Sequence, residues 1–239
     1  MVLTLHDITI GYPRATIARH LSAHLDRGTM TCLIGRNGSG KSTLLRTVAM
    51  LQPPLSGTIT VSAPTPTDIT ALAPRQRAKT IGLVLTSRTA PDNMLVREMV
   101  AMGRSPYTGF WGTLSSCDND IVAQAMSMTG VTAFANTPVG NLSDGERQKV
   151  MIAKALAQQT PIIMLDEPTA FLDYPSKISV MQTLHSLCHD RGVTVLLSTH
   201  DLDAALRITD NVWLLSDGKL LTGTPASLHK EIGEFMGGR

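Results

Sequence analysis

An α/β fold built on a parallel sheet is what this sequence predicts, on three observations. Two runs rich in leucine and β-branched residues, "PIIMLDEP" (161–168) and "GVTVLLSTH" (192–200), end in polar residues and enclose the helical "SKISVMQTLHSLCHD" (176–190). Strand, helix and strand in that order make a parallel pair. A third strand, "TMTCLI" (29–34), passes through a glycine-rich turn into "KSTLLRTVAM" (41–50), which has helical content. Between about residues 86 and 160 the pattern turns helical, which reads as an inserted lobe.

Taken in order, "LTLHDITI" (3–10) alternates loosely and reads as the opening strand. After the first helix, Pro53, Pro54 and Gly57 mark turns, and "GTITVS" (57–62) and "TIGLVL" (80–85) are short β-prone pieces that fit a strand-rich sublayer. In the lobe, Asp92 precedes "NMLVREMVAM" and Asp118 precedes "NDIVAQAMSM", each acid suiting a helix N-terminus, with Gly130 as C-cap of the second. No internal repeat or low-complexity linker interrupts the chain, so residues 1–239 are expected to pack as a single domain: a core from 1–85 and 161–239, and the lobe between.

Composition narrows the function classes. The formal charge is +2, from 21 basic and 19 acidic residues, so no overall field draws the chain to nucleic acid or membrane, and no nucleic-acid partner is expected. Cys32, Cys117 and Cys188 show no paired spacing, which suits a reducing, cytosolic compartment. The start, "MVLTLHDITIGYP", lacks a basic segment followed by an apolar run, and no stretch approaches the ~20 apolar residues that span a bilayer. Work at a membrane would therefore use another chain's membrane part.

"GRNGSGKST", Gly35 to Thr43, satisfies G-x-x-x-x-G-K-[ST] between a strand and a helix. Gly35, Gly38 and Gly40 let backbone amides curl around an anion, with Asn37, Ser39 and Thr43 in the same cradle. Lys41 supplies a point charge for the outer phosphates at a helix N-terminus, and Ser42 suits Mg²⁺. Hydrolysis also needs acids at a second strand end. Asp166 is placed to hold Mg²⁺ through water and Glu167 to polarise the attacking water. His200 closes the next strand, and neighbouring strand ends in such a sheet open onto one crevice, where it would contact the γ-phosphate or orient the water. Near the lobe's end, Ser143 and Glu146 form S-x-x-E before "RQKVMIAKALAQ". That is a capping box, yet it also leaves a free helix start and Gly145, the furnishings of a second anion site.

Five ordered motifs, "GRNGSGKST", "NLSDGERQ", "IIMLDEP", "FLD" and "STHD", resemble those of the ATP-binding cassette ATPases over essentially the whole chain. The resemblance implies a P-loop NTPase cassette with a RecA-like parallel-sheet core, an N-terminal antiparallel β sublayer and an inserted helical lobe, using ATP and Mg²⁺. It also implies a head-to-tail homodimer in which Ser143, Gly145 and Glu146 act in trans. By the same match Tyr12 stacks on adenine, Asp173 lies at the dimer seam and His200 is the switch histidine. A narrower likeness, through "VREMVAMGRSPYTGFWG" (96–112), is to cassettes that import iron-siderophores, haem or cobalamin. These work with a separate polytopic permease dimer, and indirectly a solute-binding protein, at the cytoplasmic face of the cell membrane. The alternative from the same motifs is a soluble cassette ATPase in cofactor assembly or nucleic-acid processing. It would be favoured by coiled-coil or tandem-cassette insertions that this sequence lacks.

Three positions depart from the family pattern. Thr86 stands where glutamine usually links metal and permease lobe, Asp144 replaces a glycine, and Glu146 a glutamine; the added negative charge is expected to weaken closure over a partner's triphosphate. Elsewhere, His185, Cys188 and His189 have metal-like spacing but read as a helix surface with one buried thiol. Arg75, Arg77 and Lys79 read as a solvated run without interleaved aromatics. Met94, Met99, Met102, Met126 and Met128 read as adaptable packing in the lobe.

Overall fold

The computed structural model describes residues 2–62, 65–85 and 93–237. Strand β1 (Leu3–Tyr12) pairs antiparallel with β2 (Ala15–Leu25), and their alternation, shifted by one residue at an irregularity between Leu5 and Ile8, turns Leu3, Leu5, Ile8, Ile10, Leu21 and Leu25 inward. Strand β3 (Met30–Gly35) is buried at every residue, as a strand covered on both faces must be, and leads into α1 (Lys41–Val48). Strands β4 (Ser56–Ser62) and β5 (Pro66–Asp68) complete a four-stranded antiparallel sheet of order β2-β1-β4-β5.

Helix α2 (Pro74–Ala78) precedes β6 (Ile81–Val84), which the sequence reading placed in the sublayer. The structure corrects this: β6 pairs parallel with β7 (Ile162–Leu165) and forms the edge of the second sheet. Ile81 and Val84 are buried there, so its apolar run was that of a covered strand rather than of an open antiparallel layer. The remaining strands are β8 (Thr194–Ser198), β9 (Asn211–Ser216) and β10 (Lys219–Gly223), giving the order β10-β9-β3-β8-β7-β6, parallel except for the β9-β10 hairpin.

Between β6 and β7 lie α3 (Val96–Ala101), α4 (Ser116–Met128) and α5 (Asp144–Ala157), which share a buried cluster including Val96, Val100, Met126, Val150 and Ala153. Asp92 lies outside the described residues, and α3 starts at Val96 with Glu98 accepting from the Leu95 N–H. Asp118 does not cap α4. Ser115 does, accepting from the Asp118 N–H at 3.1 Å while Asp118 accepts from the Ser115 N–H at 3.0 Å. The reciprocal pair satisfies two otherwise orphaned donors, which a lone Asp cannot do. Gly130 follows the last turn at φ 71°, the left-handed conformation expected after a helix end. Helix α6 (Tyr174–Arg191) covers the parallel sheet with Val180, Met181, Leu184 and Leu187, each worth about 1.5–3 kcal/mol on burial. Helices α7 (Leu202–Leu206) and α8 (His229–Gly237) complete that side.

Arg104 joins α4 to the end of α5. It is 4% exposed and donates from Nε to Asp118 Oδ1 at 2.8 Å and from Nη1 to Ala157 O at 2.8 Å and Gln159 Oε1 at 3.0 Å. Hydrogen bonds from the side chain and backbone of Ser115, and then from Arg104, hold the Asp118 carboxyl down to about 2. A depressed carboxyl contributes stability above its unfolded pKa, near ~3.9, and loses it as pH falls towards the folded value. Asp118→Asn is therefore expected to melt earlier than wild type at neutral pH, with the difference closing between about pH 4 and pH 2. Thermal melts of both proteins across that window check it.

Candidate active site

The parallel sheet gathers the site at the C-terminal ends of β3, β7 and β8. After Gly35 the chain turns through residues 36–40 into α1. Gly40, the residue before the helix, sits at φ 105°, and a Cβ there would lie 2.5 Å from Ile17 Cγ2. Both the left-handed backbone and the close approach exclude a side chain. No side chain caps α1, so its first amides stay open towards the loop. Ser39 Oγ is buried with no hydrogen-bond partner among the described residues. A buried orphan hydroxyl beside open amides fits a phosphate group, which would satisfy all of them.

Lys41 is 6% exposed and folds back on the same loop, donating to Gly35 O at 2.8 Å and Arg36 O at 3.2 Å. Burial lowers its pKa, and the carboxylates of Glu167 and Asp166 oppose that shift. Asp166, buried just past β7, accepts at Oδ1 from Ser42 Oγ at 3.1 Å and from Ser198 Oγ at 2.7 Å. Glu167 follows at φ 48°, a left-handed conformation that is costly for a non-glycine residue, and its N–H donates to Ser198 Oγ at 2.9 Å. Glu167 Oε2 stands 3.5 Å from His200 Nδ1.

Gly35, Arg36, Asn37, Glu167 and His200 together line a 520 Å³ cavity, with Phe235 of α8 on its wall. The start of the cradle, Glu167 and His200 therefore face one space, and Ser42 with Asp166, in contact at 3.1 Å, forms an oxygen pair suited to a hard cation such as Mg²⁺. That arrangement is equipped to bind a triphosphate, neutralise its outer charge and polarise a water beside it.

Ser198 is the participant that sequence reasoning missed. Its hydroxyl donates to one acid and accepts from the backbone of the next, so it fixes both at once. Its role follows from register: Leu165 pairs with Leu197, which places Ser198 beside Asp166 one step further on, and no pattern in the sequence sets that pairing.

Other expected site residues lie elsewhere. Tyr12 is half exposed at the end of β1 and is not among the residues lining the cavity, and Thr43 is buried in α1. Ser143 caps α5, accepting from the Glu146 N–H at 3.3 Å and donating from Oγ to Glu146 Oε2 at 2.7 Å, which holds the Glu146 carboxyl below its usual range. A Cβ on Gly145 would lie 2.8 Å from Ser176 Oγ, and Asp173 accepts from the Ser176 N–H at 3.2 Å, so these two expected residues sit beside one another through α6. Asp144 lies 3.7 Å from Arg147, which offsets part of its charge locally. Thr86 lies outside the described residues. Of the histidine and cysteine cluster, Cys188 is buried with its thiol pushed up to about 12 by burial, and His189 turns to Asp210 at 3.1 Å. Met99 and Met126 are buried in the lobe, while Met102 is 46% exposed.

The family model described as ABC transporter matches residues 18–170. The chain belongs to the ABC transporter family. The cassette is 36% identical over 223 residues to the ferric enterobactin transport ATP-binding protein FepC of Escherichia coli K12, covering 93% of this chain and 81% of that protein. In structure it resembles a putative metal-chelate type ABC transporter in an inward-facing conformation, with TM-score 0.86 and 26% identity over 99% of this chain and 89% of that one. It also resembles a dimeric ATP-binding cassette in a post-hydrolysis state with ADP and phosphate, with TM-score 0.78 and 27% identity over 93% and 98% of the two chains. The cassette is thus an ATPase, in a family that pairs as dimers and works with membrane permeases. No helix among the described residues is long and apolar enough to cross a membrane.

Proposed function

We propose that this cassette powers a membrane importer for an iron-siderophore or a related chelate such as haem or cobalamin, peripheral to the cytoplasmic face of the membrane. The observation that carries the catalytic half is the shared contact of Ser198 with the Asp166 carboxyl and the Glu167 backbone, which sets two adjacent acids at one strand end, the first of them against Ser42 of the cradle. The importer half is supported by relatives named for ferric enterobactin transport, iron(3+)-hydroxamate import and cobalamin import, each at 33–36% identity.

In the mechanism, Gly35 to Thr43 wrap the phosphates, and Lys41 exchanges its two carbonyl partners for phosphate oxygens. Ser42 and Asp166 hold Mg²⁺, which supplies charge neutralisation at the phosphates when bound. Glu167 accepts a hydrogen bond from the attacking water and takes its proton as the water oxygen bonds to the γ-phosphorus and the bond from that phosphorus to the bridging oxygen of ADP breaks, while His200, beside Glu167, orients the γ-phosphoryl group in transfer. Tyr12 stacks on adenine. Ser143, Gly145 and Glu146 serve the site of a second copy, across a seam at Asp173 where exposed Phe171 and Tyr174 would be covered. Ser143 Oγ must give up its donation to Glu146 to reach that phosphate. A polytopic permease dimer sits on the lobe, with a solute-binding protein beyond it.

Ser198→Ala keeps the cradle but removes one of the donors to the Asp166 carboxyl and the acceptor of the Glu167 N–H, so turnover is expected to fall about tenfold with little change in KM for ATP. Steady-state kinetics check the split. The importer reading is tested by gentle membrane solubilisation and affinity capture of the tagged chain. Co-purification of a polytopic permease is the expected result; recovery with soluble partners alone would favour a soluble cassette ATPase.

A further inference from the structure

Phe110 and Trp111 are 96% and 88% exposed, an edge-to-face pair with ring centres 5.4 Å apart, in the segment that joins α3 to α4. A Cβ built on Gly109 or on Gly112, which flank the pair, would meet nothing within 4 Å. The aromatic tip therefore stands clear of the body. Its base is nonetheless fixed: Arg75 donates from Nε to Pro106 O at 2.6 Å and from Nη2 to Tyr107 O at 3.2 Å and Thr108 O at 3.3 Å. Lys79 Nζ lies 4.4 Å from the centre of the Tyr107 ring, and the Arg104 guanidinium lies 3.9 Å from it. The fold thus brings aromatics to a basic run that has none of its own in sequence. These partners of Arg75 and Lys79 are neutral, so both charges remain available to an anionic surface.

We propose that this tip anchors the cassette at a bilayer interface, with Phe110 and Trp111 entering the headgroup region of an anionic membrane beside Arg75 and Lys79. Trp111 joins an apolar ring to a polar N–H and so favours that boundary, Phe110 adds apolar area, and each nearby cation adds attraction to anionic lipid. A protein partner normally meets an anchor residue inside a rim of close contacts that excludes water. Here a Cβ placed on Gly109 or Gly112 meets no described atom within 4 Å, and such an open base suits a fluid interface that closes around the tip. Single-stranded nucleic acid needs ring faces offered in sequence, and an edge-to-face pair offers no such platform. The proposal extends the importer reading by giving the ATPase a membrane contact of its own, and it fails separately because ATP turnover is measured in the same samples.

The test is sedimentation of the full chain with vesicles of phosphatidylglycerol and phosphatidylcholine, and with phosphatidylcholine alone. Wild type is expected to partition onto the anionic vesicles, less so as salt rises. The Phe110→Ser/Trp111→Ser protein is expected to lose about tenfold or more in partitioning while keeping its ATP turnover. Of the two tryptophans, Trp213 is 1% exposed, so a blue shift of wild-type emission on adding vesicles reports Trp111. Absence of partitioning, equal partitioning of the double variant, or a blue shift with a single-stranded oligonucleotide and none with vesicles would each overturn the proposal.

Discussion

Glu167→Gln is expected to lower ATP turnover by about 10²–10⁴-fold while leaving ATP binding intact. Glutamine keeps the size of the side chain and the backbone contact to Ser198, which involves the N–H and not the carboxyl. It removes the anion that draws a proton from water. A chain that binds ATP but does not turn it over should then accumulate as a nucleotide-bound dimer, because hydrolysis normally ends closure. Single-turnover kinetics and light scattering in ATP and in ADP measure both effects. Loss of ATP binding instead would mean that Glu167 shapes the cradle.

Lys41→Met is expected to abolish ATP binding at ordinary nucleotide concentrations without unfolding the protein. Lys41 is nearly buried, and burial disfavours its charge. The carbonyls of Gly35 and Arg36 and the nearby acids offset only part of that cost. An apolar side chain of similar length removes the desolvation penalty, so the nucleotide-free variant should melt at or above the wild-type temperature. Activity and stability therefore move in opposite directions, as expected where a charged group is kept for function. Calorimetric titration with ATP and thermal melts of the free proteins separate the two readouts. A variant that lost binding by melting would place Lys41 in the fold rather than in the site.

Much of this was legible because the informative residues lie on regular elements. The parallel sheet announced itself in covered strands such as β7 and β8, and the cradle in its glycines. Two kinds of feature escaped. Strand β6 resembles an antiparallel piece locally, and its place beside β7 is set by contacts with a strand far along the chain. The β9-β10 hairpin has its sequence signal in the Asp217-Gly218 pair, and both residues take positive φ, at 50° and 72°, as a tight two-residue turn requires. In the site, individual acids could be named from sequence, but Ser198 gains its role only from the register of two strands. The clamp of Arg75 on the carbonyls before Phe110 likewise joins segments whose contact no periodicity encodes.

The central claim is that each ATP site is completed by a second cassette, and mixing two inactive chains tests it most directly. A Lys41→Met chain and a Ser143→Arg chain should each be inactive alone. Mixed, they form one dimer site in which an intact cradle meets an intact Ser143 from the partner. Recovery of ATP turnover on mixing is the predicted result; a mixture as inactive as its components, with dimers present, would contradict the account.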